Sequence, residues 1–187
     1  MNPEEDSFFE WLPVRTLYNK ELLLADYLAS EHIEYFIPMV YELCDAGTDG
    51  VECRRRLVPA IHNLVFIHHP YDRQWCIDFQ RRSPVPFHYL KADREGSTFS
   101  VVPHYEMKAF MRACDPTIEG TRFIDPDLLR EKKRVRVRVF KPGPLLGLEG
   151  DFIRFGGRHY IAIRVSGSAA LLKVSYTWCK EVVSKEM

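Results

Sequence analysis

The sequence contains no long run of apolar residues and no excess of charge of either sign. No apolar stretch approaches the ~18 residues that a membrane-spanning helix requires. The acidic start, residues 1–6, also lacks the basic region and the apolar run of a signal peptide. Because 26 Lys and Arg side chains balance 26 Asp and Glu, no strong overall field draws the chain onto nucleic acid or an anionic membrane. We therefore expect a soluble cytoplasmic protein that does not contact a membrane.

Disulfide frameworks, metal clusters and catalytic signatures are missing as well. The 5 cysteines are odd in number and none stands in a Cys-x-x-Cys pair, which favours reduced thiols in a cytosol. His68 and His69 would point to opposite faces of a strand, so they cannot chelate a metal from one side. Neither G-x-S-x-G nor H-E-x-x-H occurs. We expect a protein that is not an enzyme and that holds no metal or cofactor.

Strand and helix patterns alternate over the first 115 residues. The run 63–67 is almost continuously apolar, which is typical of a central strand covered on both faces. Apolar residues at helical spacing predict helices from Lys20, with Asn19 as its N-cap, over 71–82 and from Pro103. Strand formers predict further strands over 7–15, 33–43, 51–56, 87–91 and 98–102, with a hairpin tip at 45–50. This order indicates an α+β sandwich in which helices cover a mainly antiparallel sheet.

The pattern changes to period two beyond residue 133. Residues 116–132 have the Pro, Gly and charge content of a linker. After them, about five short strands fall within roughly 50 residues, which predicts a small barrel that hides its edges by closing. Its corner would be a loop that breaks the first strand, allows left-handed turns and permits close backbone approach. The loop residues are Gly143, Pro144, Gly147, Glu149 and Gly150. Because no Lys-Ser/Thr follows, we favour an architectural corner over a phosphate cradle.

Three arginines alternate with valines in the first strand of this predicted barrel. Arg134, Arg136 and Arg138 would share one face, which is either a solvated surface or a contact to nucleic acid. Single-strand binders need aromatic stacking positions beside their cations, and no such row accompanies these arginines in the sequence. Both interpretations stay open, with the solvated surface favoured.

Both halves of the chain resemble one family. The strand at 9–15, the helix after Asn19, Ile37-Pro38-Met39, the basic run 54–56 before Leu57-Val58-Pro59, the strand 64–67 and the helix at Pro103 are similar to the amino-terminal domain of NusG-type transcription elongation factors. The barrel with Gly143-Pro144-x-x-Gly147-x-Glu149-Gly150 resembles their KOW domain. The resemblance implies an amino-terminal domain over 1–115, a linker over 116–132 and an SH3-like KOW barrel over 133–187.

One departure from the family pattern lies before the central strand. The family usually has Pro-Gly-Tyr or Pro-Ser-Tyr there, whereas this chain has His62-Asn63-Leu64. The difference is typical of a specialised paralogue, such as the antiterminators that regulate surface-polysaccharide operons.

The resemblance also implies a function and its residues. The amino-terminal domain would dock an apolar patch onto the clamp helices of RNA polymerase and favour pause-free elongation. Matched by motif, the patch comprises Arg15, Leu64, Phe66 and Phe87, of which Arg15 and Leu64 differ from the aromatic residues usual there. The KOW barrel would recruit a ribosomal protein or a termination factor, and nascent RNA or non-template DNA would be local contacts. Many aromatics on a half-covered sheet also suit an apolar protein interface on physical grounds alone.

Two other classes of function compete with this one. A ribosome-associated or RNA-binding barrel protein would use the face of Arg134, Arg136 and Arg138 as its main site, and its RNA affinity would fall steeply with salt. An enzyme would need a pocket in which His, Cys or carboxylate side chains converge.

Overall fold

The computed structural model of the chain describes residues 9–43, 55–92, 98–130 and 133–182. Within these ranges three helices and twelve strands follow one another. The helices are α1 (Glu21–Ser30), α2 (Arg73–Arg82) and α3 (His104–Ala113). The strands are β1 (Phe9–Thr16), β2 (Tyr35–Phe36), β3 (Met39–Leu43), β4 (Arg55–Pro59), β5 (Leu64–Pro70), β6 (Phe87–Tyr89), β7 (Arg122–Ile124), β8 (Val135–Val139), β9 (Glu149–Phe155), β10 (Arg158–Val165), β11 (Ser168–Lys173) and β12 (Cys179–Glu181).

The first half of the chain forms a four-stranded antiparallel sheet in the order β2-β5-β1-β6. β5 lies in the interior of this sheet, and its residues Leu64–Ile67 are all fully buried. Successive side chains of a strand point to opposite faces, so an unbroken apolar run is what a doubly covered strand needs. The central strand predicted over 63–67 is therefore confirmed, as is the α+β class with helices and antiparallel sheets.

The three helices are divided between the two faces of the four-stranded sheet. Helices α1 and α2 bury Leu24, Leu28 and Phe79 in one apolar cluster with β1, β5 and β6. Helix α3 buries Met107 and Phe110 in a second cluster, which lies on the other face. Asp72 caps α2 by accepting hydrogen bonds from the backbone N–H groups of Gln74 and Trp75. A polar side chain in this position is a common start of a helix.

The predicted N-cap of α1 is wrong. The helix begins at Glu21, after Lys20 in the cap position, and no side chain caps it. Asn19 instead has a left-handed backbone with φ of 53°, as does Tyr18 with φ of 58°. The Asn19 backbone N–H donates to the Oδ1 atom of Asn63, 2.7 Å away. Asn tolerates this conformation better than most residues, so Asn19 serves a tight turn rather than a cap.

Two predicted extended regions are shorter or interrupted in the structure. The run 33–43 divides into β2 and β3 at Ile37 and Pro38, and β3 pairs with β4 as a separate two-stranded ribbon. The predicted strand 98–102 makes bridges alone, from Phe99 to Lys91 and from Val102 to Trp11. The hairpin tip at 45–50, together with Cys44 and Cys53, lies outside the described residues.

The second half forms a six-stranded antiparallel sheet in the order β12-β8-β9-β10-β11-β7. β8 to β12 correspond to the five strands expected beyond residue 133, whereas β7 belongs to the predicted linker 116–132. β7 pairs with β11, and Leu129 after it is buried with Ile153, Tyr160 and Leu171. The connecting segment therefore contributes to the second sheet instead of remaining wholly irregular.

The two sheets share one continuous apolar core. Phe66 of β5 contacts Phe110 of α3 with ring centroids 5.6 Å apart. The cluster that contains both rings extends to Val137, Ile161 and Leu172 of the six-stranded sheet. Helix α3 thus lies between the two sheets and buries its apolar side chains against both.

We expect Phe110→Ala to lower the free energy of unfolding by about 3–5 kcal/mol, because it removes a fully buried ring from the shared core. Urea unfolding followed by tryptophan fluorescence and by circular dichroism measures the effect. Since the core is shared, both signals should fall in one transition at a lower urea midpoint.

Tyr105→Ala on the same helix is the matched control, since that ring is 72% exposed and its loss should change stability by at most about 0.5 kcal/mol. Two separate transitions, of which the mutation moves one alone, would contradict a shared core.

Candidate functional site

The structure brings three of the four predicted docking residues to one face of the four-stranded sheet. Arg15 of β1 pairs with Leu64 of β5, and Phe66 follows Leu64 on the same face by the two-residue alternation of a strand. Phe87 instead packs in the cluster beneath α1 and α2 on the opposite face. The residue that shares Arg15's face on β6 is its partner His88, which is exposed. The four residues therefore do not form one continuous patch.

Leu64 and Phe66 are both 0% exposed. Phe66 lies beneath α3 and β2, where Phe36 and Phe110 surround its ring at centroid distances of 6.4 and 5.6 Å. Leu64 lies beneath the turn that joins β10 to β11, and Gly167 of this turn lies against the Leu64 side chain. The sheet face identified from the sequence is thus internal, with Leu64 covered by the six-stranded sheet and Phe66 covered by α3 and β2.

Gly167 fits against this face because it has no side chain. A Cβ atom there would lie 2.7 Å from Leu90 Cδ2 and 3.3 Å from Leu64 Cδ1. The backbone of Gly167 also has φ of 86°, in the left-handed region that favours glycine. We call the contact of Ser166 and Gly167 with Arg15, Leu64, Leu90 and Ser100 the hairpin seat.

Polar groups hold the rim of the hairpin seat. The Arg15 guanidinium donates to the backbone oxygens of His62, at 3.3 Å, and Gly167, at 3.4 Å. The hydroxyl of Ser100 donates to that of Ser166 at 2.7 Å. Arg15, predicted as a docking residue from the family motif, therefore joins the two sheets in this structure.

A second set of contacts joins α3 to the glycine-rich loop of the six-stranded sheet. Arg112 donates from Nη2 to the backbone oxygens of Leu146, at 2.8 Å, and Pro144, at 3.2 Å. Gly147 has φ of 77°, and its N–H donates to Val139 O at 2.8 Å, which closes the loop. The two sheets are thus joined at two places, the hairpin seat and the Arg112 contact.

The remaining loop residues have architectural roles. A Cβ atom on Gly150 would lie 2.6 Å from Ile163 Cδ1 and 2.9 Å from the Ala162 backbone oxygen, so the close approach expected there occurs. Gly143, with φ of 144°, supports the open turn. The Glu149 carboxylate binds the Arg138 guanidinium of β8.

The alternating arginines are exposed but face acidic partners. Arg134 and Arg136 lie 3.9 and 3.7 Å from the Asp151 carboxylate, which also binds Arg164. Arg138 is paired with Glu149. Ion pairs that are this exposed contribute little to stability, yet they reduce the positive potential that phosphates would meet. The arginine row is therefore a weaker anion site than its sequence pattern suggests.

Asn63 explains the unusual His62-Asn63-Leu64 sequence. Its backbone has φ of 64°, a conformation that Asn and Gly adopt more readily than other residues. Its side-chain oxygen accepts from the Asn19 N–H and from the Thr16 hydroxyl at 2.7 and 3.2 Å. Asn63 thus adopts a backbone conformation typical of glycine, and its side chain also holds the turn after β1 by hydrogen bonds.

The described cysteines show no sign of reactivity. Burial raises the pKa of the Cys76 thiol and raises that of the Cys114 thiol well above its ordinary value. Thiols of this kind stay protonated and are poor nucleophiles. Among the described residues, no group of three or more His, Cys, Asp or Glu side chains could hold a metal ion. No helix in the same part of the chain is long and apolar enough to cross a membrane.

The hairpin seat was only partly visible in the sequence. Ser166-Gly167-Ser168 is recognisable as a turn, but no local pattern indicates that the turn packs against Leu64 across more than 100 residues of sequence. Comparison with known proteins finds no matching family model and no matching curated protein.

We expect Gly167→Leu to displace the hairpin from its seat, because a branched side chain has no room between Leu90 and Leu64. The radius of gyration measured by small-angle X-ray scattering should rise, while the far-UV circular dichroism spectrum keeps its shape.

Gly157→Leu is the matched control. Gly157 also lies in a hairpin turn, with φ of 78°, but its missing Cβ would meet nothing within 4 Å. The control carries the same backbone strain without the steric conflict, so its radius of gyration should equal that of the wild type. Equal radii for both variants would contradict the hairpin seat.

Proposed function

We propose that the chain is a transcription elongation and antitermination regulator of the NusG type, which docks on the clamp helices of RNA polymerase through residues 1–115. The observation that carries this proposal is the apolar sheet face at Leu64 and Phe66, which the turn at Gly167 covers at Leu64 and α3 and β2 cover at Phe66. Apolar side chains at the centre of an interface supply most of its binding energy. A sheet face of this composition suits a helical partner once the cover is removed.

The fold is compatible with the proposal in both halves. Residues 1–115 include the antiparallel four-stranded sheet and the three helices that the amino-terminal domain requires. Residues 133–182 include five antiparallel strands and the turn at Gly147, which are compatible with a KOW domain. Together with the motif order in the sequence, these elements support the two-domain assignment.

Docking through Leu64 requires the two sheets to separate, and docking through Phe66 also requires α3 to move from the sheet face. Exposing each of these side chains to water costs about 1.5–3 kcal/mol, so opening in isolation is unfavourable. A polymerase surface that buries the same side chains returns this free energy. The proposed activity is therefore an exchange of one apolar cover, formed by the hairpin seat over Leu64 and by α3 over Phe66, for another on the polymerase.

The docking surface in the open protein would comprise Arg15, Leu64 and Phe66, with His88 beside Arg15 on the same face. Arg15 is well placed for this change, because its guanidinium would lose the Gly167 oxygen and become available to a partner. Phe87 would act indirectly, by supporting β6 from the opposite face. The six-stranded sheet, once released, would recruit a ribosomal protein or a termination factor, as the family resemblance implies.

A disulfide across the hairpin seat tests this proposal. The Ser100 and Ser166 hydroxyl oxygens lie 2.7 Å apart, a spacing from which two cysteine sulfurs can reach the bond length of about 2 Å. The oxidised double variant Ser100→Cys/Ser166→Cys should lose at least tenfold in polymerase affinity, because its docking face stays covered. Reduction with dithiothreitol should restore binding. Pull-down with purified core RNA polymerase measures both states.

The wild type and Ser100→Cys alone, treated with the same oxidant, are the controls and should bind as the untreated protein does. Undiminished binding by the locked variant would refute docking through the covered face. Failure of every form to bind polymerase, Gly167→Leu included, would refute the NusG-type assignment itself.

A further inference from the structure

The six-stranded sheet carries a group of exposed aromatic rings outside the hairpin seat. Tyr176, Phe140 and Trp178 are 54%, 45% and 37% exposed. His159 is exposed, and Phe152 is partly buried. We call these five residues the aromatic surface. They come from β9, β10, the turn after β8 and the segment before β12, so their spacing in the sequence gives no sign that they converge.

The rings of the aromatic surface contact one another. Phe152 stacks on His159 with centroids 5.2 Å apart and meets the edge of Tyr176 at 5.1 Å. His159 and Trp178 line the same shallow groove. The Phe140 backbone N–H donates to the Trp178 backbone oxygen at 3.0 Å, which places these two residues side by side. Phe152, His159 and Tyr176 therefore form one group of contacting rings, which Trp178 adjoins through the groove and Phe140 adjoins through Trp178.

Cations are interleaved with these rings. The Lys141 ammonium lies 3.7 Å from the centre of the Trp178 ring, and Lys180 lies 5.0 Å from that of Phe140. Arg158 and Lys173 line the groove that His159 and Trp178 share. All four cations are exposed. The acidic neighbour Glu181 accepts a hydrogen bond from the Tyr176 hydroxyl at 3.2 Å, and this carboxylate is outnumbered by the cations.

We propose that the aromatic surface binds single-stranded RNA. Bases stack on exposed aromatic side chains whatever their sequence, and each neutralised phosphate adds salt-sensitive affinity. A protein partner would favour an apolar or charge-matched face, whereas here the rings alternate with cations. The hydroxyls of Ser175 and Thr177, exposed on either side of Tyr176 and 2.8 Å apart, supply partners for the ribose 2′-hydroxyl that distinguishes RNA from DNA.

The arginine row fits RNA less well than this surface. Arg134, Arg136 and Arg138 lie beside Asp151 and Glu149. Lys141 and Lys180, by contrast, lie over aromatic rings and keep their charge available to a phosphate. Lys180 is the register partner of Arg138, so the alternating arginines adjoin the aromatic surface and form the less suitable part of one basic region.

The aromatic surface stays accessible while the hairpin seat is closed. Arg158 begins β10 and Val165 ends it immediately before the seat, and a strand of this length spans about 23 Å. RNA binding would thus not require the two sheets to separate. It is independent of polymerase docking, so either activity can be disproved without the other.

Fluorescence anisotropy with the full-length chain and a labelled 12-nucleotide single-stranded RNA of mixed sequence tests the inference. We expect Tyr176→Ala and Trp178→Ala each to weaken binding at least about fivefold, because each removes one stacking platform. Lys173→Ser should weaken binding and also reduce the dependence of affinity on salt, because one phosphate contact is lost. Binding should quench the fluorescence of Trp178, since Trp11 is 1% exposed and Trp75 lies on α2 of the first half, stacked on His69 and Phe79.

The matched controls are Tyr105→Ala and Arg130→Ser, an exposed ring and an exposed cation away from the aromatic surface. Both should bind RNA as the wild type does. Circular dichroism and the urea midpoint verify that each variant is folded, and Trp178→Phe, which keeps a stacking ring, should retain most of the affinity.

Competition with unlabelled nucleic acids identifies the ligand. Single-stranded DNA of the same sequence and duplex RNA should compete at least fivefold less well than the single-stranded RNA. Equal competition by the single-stranded DNA would overturn the assignment to RNA. Loss of binding in Arg134→Ser/Arg136→Ser/Arg138→Ser with full binding in Trp178→Ala would place the site on the arginine row and overturn the proposal, as would absence of binding at low salt.

Discussion

The burial of Leu64 beneath the turn at Gly167 and of Phe66 beneath α3 is the feature on which the rest of this structure depends. Both side chains lie on the face of the four-stranded sheet that α3 and the turn at Gly167 cover. Because burial of each contributes about 1.5–3 kcal/mol, the closed arrangement is strongly favoured in water. The hydrogen bonds of Arg15 and Arg112 to backbone oxygens fix the position of the second sheet, but the apolar contact supplies most of the free energy. Any function that uses this face must first replace its cover.

Local pattern was sufficient to predict the three helices and most of the strands, because those elements depend on neighbouring residues, but it did not predict β7. The apolar run at Leu64–Ile67 identified a doubly covered strand, and the glycines at 147 and 150 marked a turn and a close approach that the structure contains. The N-cap prediction at Asn19 was wrong because the Asn19 backbone N–H binds the side chain of Asn63, which is distant in sequence. A local rule cannot detect a partner of that kind.

The arrangement of the site could not be predicted for the same physical reason. Strand alternation places Phe87 and Leu64 on opposite faces once the β1–β6 register is known, but register is a property of the folded sheet. The rings of the aromatic surface come from segments that are unremarkable when taken singly. In both cases the chemistry depends on which strands become neighbours in the folded sheet. The sequence pattern shows which residues a strand contains, but not which strand lies beside it.

Strand β7 also determines how far the two sheets can move apart. Because β7 pairs with β11 and Leu129 is buried beside it, the connection that stays free on separation runs over residues 114–121, between α3 and β7. Fully extended, this tether spans at most about 28 Å. Because the tether is this short, the released hairpin keeps an effective concentration in the millimolar range at the four-stranded sheet. An external partner of the four-stranded sheet therefore competes with this hairpin. The hairpin belongs to the same chain, so dilution of the protein does not weaken its competition.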